Sequence, residues 1–341
     1  MSASTGAPDF TGLPDLASRL LGGSVVFAND DLFAEKENLV KPGPAEFAEQ
    51  SFGPRGKVYD GWETRRRREA GHDHAIIRLG VPGLVHGVVA DTAFFRGNYP
   101  PEISVEGVSA GGYPSPAELA AMTWHPLVPR SPARGDTANY YPVASRHRWT
   151  HLRLSIYPDG GVARFRAHGE VLAAPAFLAG TVDLAALENG GRLVECSDAF
   201  YSTAEHLIWP GRARGMNEGW ENARRRGDGN DFAVFALAAA GVPQWVEVDT
   251  SWFVGNAPGW VRLQAGDEGG DWREILPRTR VQPDTRHRFM ITGEPGPATR
   301  VRLDVYPDGG LARLRVHGEI TAGALAGLRQ RWRDTAAPDP V

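Results

Sequence analysis

The sequence Tyr59-Asp60-Gly61-Trp62-Glu63-Thr64-Arg65-Arg66-Arg67-Arg68 is followed by Gly71-His72-Asp73 and then by Asp91-Thr92-Ala93-Phe94-Phe95-Arg96-Gly97-Asn98-Tyr99-Pro100. The same block returns as Asn217-Glu218-Gly219-Trp220-Glu221-Asn222-Ala223-Arg224-Arg225-Arg226, Gly229-Asn230-Asp231 and Asp249-Thr250-Ser251-Trp252-Phe253-Val254-Gly255-Asn256-Ala257-Pro258. Gly61 and Gly219, Asp73 and Asp231, and Asn98 and Asn256 are all 158 positions apart. A register kept over that length is a duplication, so the chain is two copies of one domain.

The repeat continues on both sides of this block. Leu152 to Glu170 returns as Val301 to Glu319, centred on Tyr157-Pro158-Asp159-Gly160-Gly161 and Tyr306-Pro307-Asp308-Gly309-Gly310. Upstream, Asp30, Glu37, Leu39 and Pro42-Gly43 match Asp198, Glu205, Leu207 and Pro210-Gly211. The expected organisation is an N-terminal extension over 1–21, a first repeat over 22–171, an Ala-rich linker over 172–190, a second repeat over 191–320 and a C-terminal tail over 321–341.

Each copy reads as mostly β. Around the Y-P-D-G-G segments, residues alternate strictly: Ala163, Phe165 and Ala167 face one way, and Arg164, Arg166 and His168 the other. That pattern predicts a hairpin with a short Gly-containing loop, its charged face solvated. Short strands with frequent Gly and Pro turns point to an antiparallel sandwich or jelly roll. Helix is sparse. Ser115-Pro116-Ala117-Glu118 carries the marks of a helix start, and Ala322 to Trp332 is expected to form a short terminal helix.

At 341 residues the chain can bury two cores, and 42% hydrophobic with 23% charged residues is ordinary for a globular protein. A net charge of −4 gives no field for nucleic acid, and the longest apolar run is too short to span a membrane as a helix. One cysteine, Cys196, excludes an intrachain disulfide and fits a reducing compartment, and the N-terminus lacks a signal-peptide pattern, so a cytoplasmic location is expected. A homo-oligomer is compatible with this composition.

With G-W-E-T-R-R-R-R, G-H-D and D-T-x-x-F-x-G-N-Y-P in this order and duplicated, the chain resembles the allantoicases over nearly its whole length. The resemblance implies two tandem jelly-roll β-sandwich domains of the galactose-binding-like type. It also implies hydrolysis of allantoate to (S)-ureidoglycolate and urea in purine catabolism. Allantoate has a carboxylate on a carbon that bears two ureido groups. Expelling one urea requires a cationic fork for the carboxylate, amide partners for the ureido groups and a general acid/base. The repeated block supplies these types. Glu63, His72, Asp73 and Asp91 are the acid/base candidates, Arg66, Arg67 and Arg96 the carboxylate binders, and Asn98 the ureido contact.

Each candidate has a structural alternative. Trp62 beside Gly61 reads as a core plug. Glu63 is either a catalytic carboxylate or an arginine's partner. Asp73 and Asp231 would also cap a turn. His72-Asp73-His74 would suit a divalent metal, but the second copy, Asn230-Asp231-Phe232, keeps only the Asp; no cofactor is expected. Gly107-Val108-Ser109-Ala110-Gly111 matches G-x-S-x-G, yet Tyr113-Pro114 follows where a nucleophile elbow needs a helix. Copy two has Glu218, Asn222, Asn230 and Val254 where copy one has Asp60, Thr64, His72 and Arg96, so copy one is expected to supply the main acid/base set. Two other functions share this pattern: a non-catalytic carbohydrate-binding jelly roll, and a ureidoglycolate hydrolase or lyase.

Overall fold

The structure is a computed structural model in which residues 7–47, 50, 52–53, 56–57, 59–293 and 295–337 are described. The outermost parts of the expected extension (1–6) and tail (338–341) lie outside the described residues. The chain separates into two compact units divided after Leu172, with the segment from Asp334 onward grouping with the first. No helix among the described residues is long and apolar enough to cross a membrane.

Each unit is organised by one long strand, Asp73–Asp91 in the first and Asp231–Asp249 in the second. In the first unit its opening half pairs antiparallel with Ser24–Ala28 on one side and Arg148–Tyr157 on the other. Glu102–Val108 and His125–Pro132 extend that layer. Its closing half pairs with Arg164–Val171 and Ala138–Pro142. Between the halves, Arg78 and Gly83 face His151 and Trp149, so several residues of the long strand oppose very few of its partner. Such a bulge bends a strand from one layer into the other, and Val81-Pro82-Gly83 sits at the bend. The second unit repeats this, with its register shift between Ala236 and Gly241. The mostly-β, duplicated architecture read from the sequence is the architecture found.

Alternation along these strands packs the core. Ile77, Val85 and Val88 of the long strand are fully buried with Leu154, Ile156, Phe165 and Ala167; Phe235, Val246 and Val248 are buried with Leu303, Val305 and Leu314. Trp62 and Trp220 are fully buried plugs, as their position beside glycine suggests. Ser115 closes a capping box with Glu118 on the helix Pro116–Ala120, and a second helix spans Ala322–Asp334. The Ser109 hydroxyl donates to the Arg148 carbonyl, and no helix follows it directly.

Two expectations are corrected. The strands flanking Y-P-D-G-G are not a hairpin, because both pair with the long strand, one with each half. The residues between them turn away, and Gly161–Val162 pairs instead with Trp62–Glu63. The charged face of the following strand is not solvated either. Arg164 is 2% exposed. Its guanidinium donates to the carbonyls of Gly43 and Asp60 and to the Asp60 carboxylate. Arg313 likewise donates to the carbonyls of Gly211 and Glu218. Alternation predicts which way a side chain points, but not that a loop will cover that face. Burial drives the Arg313 guanidinium down to about 10. Burial opposes ionisation of Asp60, yet the hydrogen bonds from Arg164 and Lys41 hold its carboxyl at about 2.

Candidate active site

Three repeated motifs meet at one end of each unit. The Trp62 indole Nε1–H donates to the Asp30 carbonyl at 2.7 Å, which anchors the short strand and holds Glu63 beside it. Glu63 faces Gly161 across the pairing. Its Oε1 accepts from the Asn98 side-chain amide at 2.7 Å, and the Asn98 carbonyl accepts the Gly161 N–H at 2.7 Å. The G-W-E strand, the G-N loop and the D-G-G segment are therefore stitched together through one asparagine. The glycines are required: a Cβ on Gly161 would lie 2.1 Å from the Phe95 ring, and Gly160, at φ 142°, would meet the Pro100 nitrogen at 2.7 Å. The second unit has the same geometry. Asn256 donates to Glu221 at 2.7 Å, Gly310 donates to the Asn256 carbonyl at 2.8 Å, and a Cβ on Gly310 would lie 1.9 Å from the Phe253 ring.

The loop carrying Asn98 is held under strain. Phe94 and Asp136 both have positive φ, 69° and 53°, and the Phe94 N–H donates to the Asp136 carboxylate at 2.8 Å. Trp252 and Asp284 repeat this at 74° and 47°. Left-handed bulky residues cost about 1–3 kcal/mol each and persist only where surrounding bonds enforce them. Here the Thr92 hydroxyl, bonded to the carbonyls of Arg134 and Thr137, helps to pin the loop.

The arginines divide by direction. Arg67 turns inward: its Nη1 donates to Asp73 Oδ1 at 2.7 Å, and its backbone N–H donates to Asp159 at 2.7 Å. Asp73, 1% exposed, also accepts from Asn29 at 2.8 Å. Arg225 is held in the same way by Asp231 and Asp308. Arg66 and Arg68, and Arg224 and Arg226, are exposed. In the second unit Arg224 and Arg226 line a cavity of about 580 Å³ with Glu221, Asn222, Asn256, Asp308 and Tyr201.

Burial is the main influence on Glu63 and lifts its carboxyl above the ordinary range, against the opposing hydrogen bond from Asn98. The other predicted residues do different work. His72 is exposed; its ring packs 4.7 Å from Tyr157 and 6.2 Å from His74. Partial burial, then the charges of Arg153 and Arg67, pull the His72 imidazole below its usual range. Asp91 accepts the Ala93 N–H at 2.9 Å and so caps the turn that opens the strained loop. Arg96, 79% exposed, pairs with Asp136 at 2.9 Å. Among the described residues no three His, Cys, Asp or Glu side chains are placed to hold a metal ion. Asp73, between the two histidines in sequence, gives its Oδ1 to Arg67 and Asn29.

In sequence, Asp159, Gly160 and Gly161 read as a plain turn, and Asn222 and Tyr201 carry no role. The available signal was that Y-P-D-G-G is repeated without change, as are three of the four arginines.

Comparison with known proteins follows the same division. The allantoicase repeat model matches residues 14–172 and 182–321. A probable allantoicase of Nocardia farcinica is 55% identical over 314 residues, covering 91% of this chain and 95% of that protein. One from Streptomyces coelicolor is 50% identical over 340 residues, 95% of this chain and 90% of its own. The crystal structure of the allantoicase of Saccharomyces cerevisiae superposes with a TM-score of 0.77 at 31% identity, over 90% of this chain and 93% of that one. A further allantoicase structure gives 0.78 at 32%, over 89% and 92%. With one matched repeat in each half, and relatives that agree along nearly their full length, the chain belongs to the allantoicase family.

Proposed function

We propose that the chain hydrolyses allantoate to (S)-ureidoglycolate and urea. The observation that carries this reading is the half-buried Glu63, hydrogen-bonded to Asn98 and flanked by exposed arginines, with the same set at Glu221. Arg66 and Arg68 receive the substrate carboxylate, a planar anion that suits the guanidinium fork. The Asn98 side-chain N–H is donated to Glu63 and its backbone carbonyl accepts from Gly161, which leaves the side-chain Oδ1 to accept from a ureido N–H.

Burial keeps Glu63 protonated further up the pH scale than an ordinary carboxyl, so it can act first as an acid. It donates its proton to the nitrogen of the departing urea as that C–N bond breaks. The lone pair of the remaining ureido nitrogen forms a C=N bond to the central carbon. Water then adds to that carbon and returns a proton to the Glu63 carboxylate. Arg67, Asp73 and Asp159 position the arginine run, while Asp91 and Arg96 brace the Asn98 loop. No step here calls on a metal: Glu63 moves the proton and the arginines take the carboxylate charge. The single cysteine favours a reducing, cytoplasmic setting.

The test is release of urea and ureidoglycolate from allantoate by purified protein, with and without chelator. Equal release in both supports the proposal. Folded protein that releases neither product overturns it, and loss on chelation restored by a divalent ion overturns the metal-free site.

A further inference from the structure

Asn222 stands where the first repeat has Thr64. Its Oδ1 accepts the Gly309 N–H at 2.7 Å. That bond fixes the orientation of the amide, so the other terminal atom is the donor Nδ2. Nδ2 is buried and has no hydrogen-bond partner. The residue is 5% exposed and lines the second-repeat cavity together with Glu221, Arg224, Arg226 and Asn256. A buried donor with nothing to donate to is a cost to folding.

The turn itself does not require this cost. In the first repeat the equivalent Gly160 N–H is satisfied by the Thr64 hydroxyl at 3.2 Å. Threonine leaves no second donor behind. The asparagine therefore brings the second repeat one donor that its backbone does not use, on a residue that lines a cavity with two exposed arginines and a glutamate hydrogen-bonded to Asn256.

We infer that Asn222 Nδ2 is a substrate contact, donating to the carbonyl oxygen of a ureido group held in the second-repeat cavity. The arginines take the carboxylate end and Asn222 the ureido end, so the second-repeat cavity selects ureido acids over simple carboxylates through a contact that Thr64 does not offer the first repeat. This rests on the ureido-acid reading above and adds a specificity-determining residue to it.

The experiment uses the full chain in an Arg66→Ala/Arg68→Ala background, so that binding reports the second-repeat cavity. Asn222→Thr is compared with its parent by calorimetric titration of N-carbamoylglycine, which carries one ureido group and one carboxylate, and of glycolate, which has no ureido group. The melting temperature is followed in parallel. The expected result is about tenfold weaker binding of N-carbamoylglycine, unchanged glycolate binding, and a melting temperature equal to or above the parent's. N-carbamoylglycine binding within twofold of the parent overturns the inference, as does equal weakening of both ligands. If Asn222→Thr does not fold, Asn222→Asp keeps the acceptor for Gly309 and removes the donor, with the same two outcomes. Failure of the parent to bind N-carbamoylglycine also overturns it. Allantoate turnover by the wild-type chain is scored separately, so the proposed activity and this contact can fail independently.

Discussion

Replacing Asp73 by alanine separates a structural role from a catalytic one. The carboxylate is 1% exposed and accepts from Arg67 at 2.7 Å and Asn29 at 2.8 Å. Removing one member of a buried ion pair typically costs about 3–5 kcal/mol, because the other charge stays buried without a partner. The Arg67 side chain is 26% exposed, so water can partly rehydrate it, which points to the lower end of that range. The loss of the Asn29 bond adds about 1 kcal/mol. A total near 4 kcal/mol, at about 2–4 °C per kcal/mol for a domain of this size, lowers the first unit's melting temperature by roughly 8–16 °C. Thermal unfolding followed by circular dichroism measures this. Asp231→Ala should do comparable damage in the second unit through Arg225 and Ser197. The double variant Arg67→Met/Asp73→Leu should recover most of the loss, since it leaves no orphaned charge. A melting temperature within about 2 °C of wild type, together with a hundredfold fall in kcat, would refute the reasoning and make Asp73 a reacting group.

Glu63→Gln with Glu221→Gln should lower kcat/KM by at least about 10²-fold while far-UV dichroism stays native, and wild-type turnover should decline as pH rises past the lifted Glu63 carboxyl; an unchanged rate removes glutamate from the chemistry. Gly161→Ala forces a methyl to within 2.1 Å of Phe95, so it should cost about 1–3 kcal/mol in urea unfolding and loosen substrate binding; a neutral result would show that the loop yields easily. His151 is 2% exposed, and burial, reinforced by Arg78, drives its imidazole down to about 4 from 6.5. Because the unfolded chain takes up the proton first, stability is complete above pH 6.5 and is lost as pH falls toward 4. The full effect is about 3 kcal/mol, and it should vanish from the pH–melting curve of His151→Gln.

The sequence disclosed the duplication, the strand-rich class and the tryptophan plugs because each depends on local pattern and periodicity. Glu63, Asn98 and the arginine run were legible because they recur in register. What stayed hidden was pairing between distant segments. Nothing local says that the strands flanking Y-P-D-G-G both join the long strand, or that Gly161 lies against Glu63. Nor does alternation reveal that the Gly43 and Asp60 loops cover Arg164. The arginines looked equivalent in sequence, and only the partners Asp73 and Asp159 single out Arg67. Asn222 and Thr64 looked like an ordinary polar exchange until the Gly309 bond oriented the amide.

The long strand that belongs to both layers has a consequence for how each repeat opens. Asp73–Asp91 and Asp231–Asp249 are each 19 residues long, and every other main strand of a unit leans on one half or the other, directly or through a neighbour. Peeling one layer away would strip the ladder that registers the second, so neither layer has a low-energy route to opening alone. Amide protons on both sides of the bulge should therefore exchange with solvent at a common, slowest rate, as one cooperative block. The loop bearing Phe94 and Asn98 begins where that block ends. Its strained backbone is thus fastened to the last part of the repeat to come undone, and the glutamate–asparagine contact keeps its geometry for as long as the repeat remains folded.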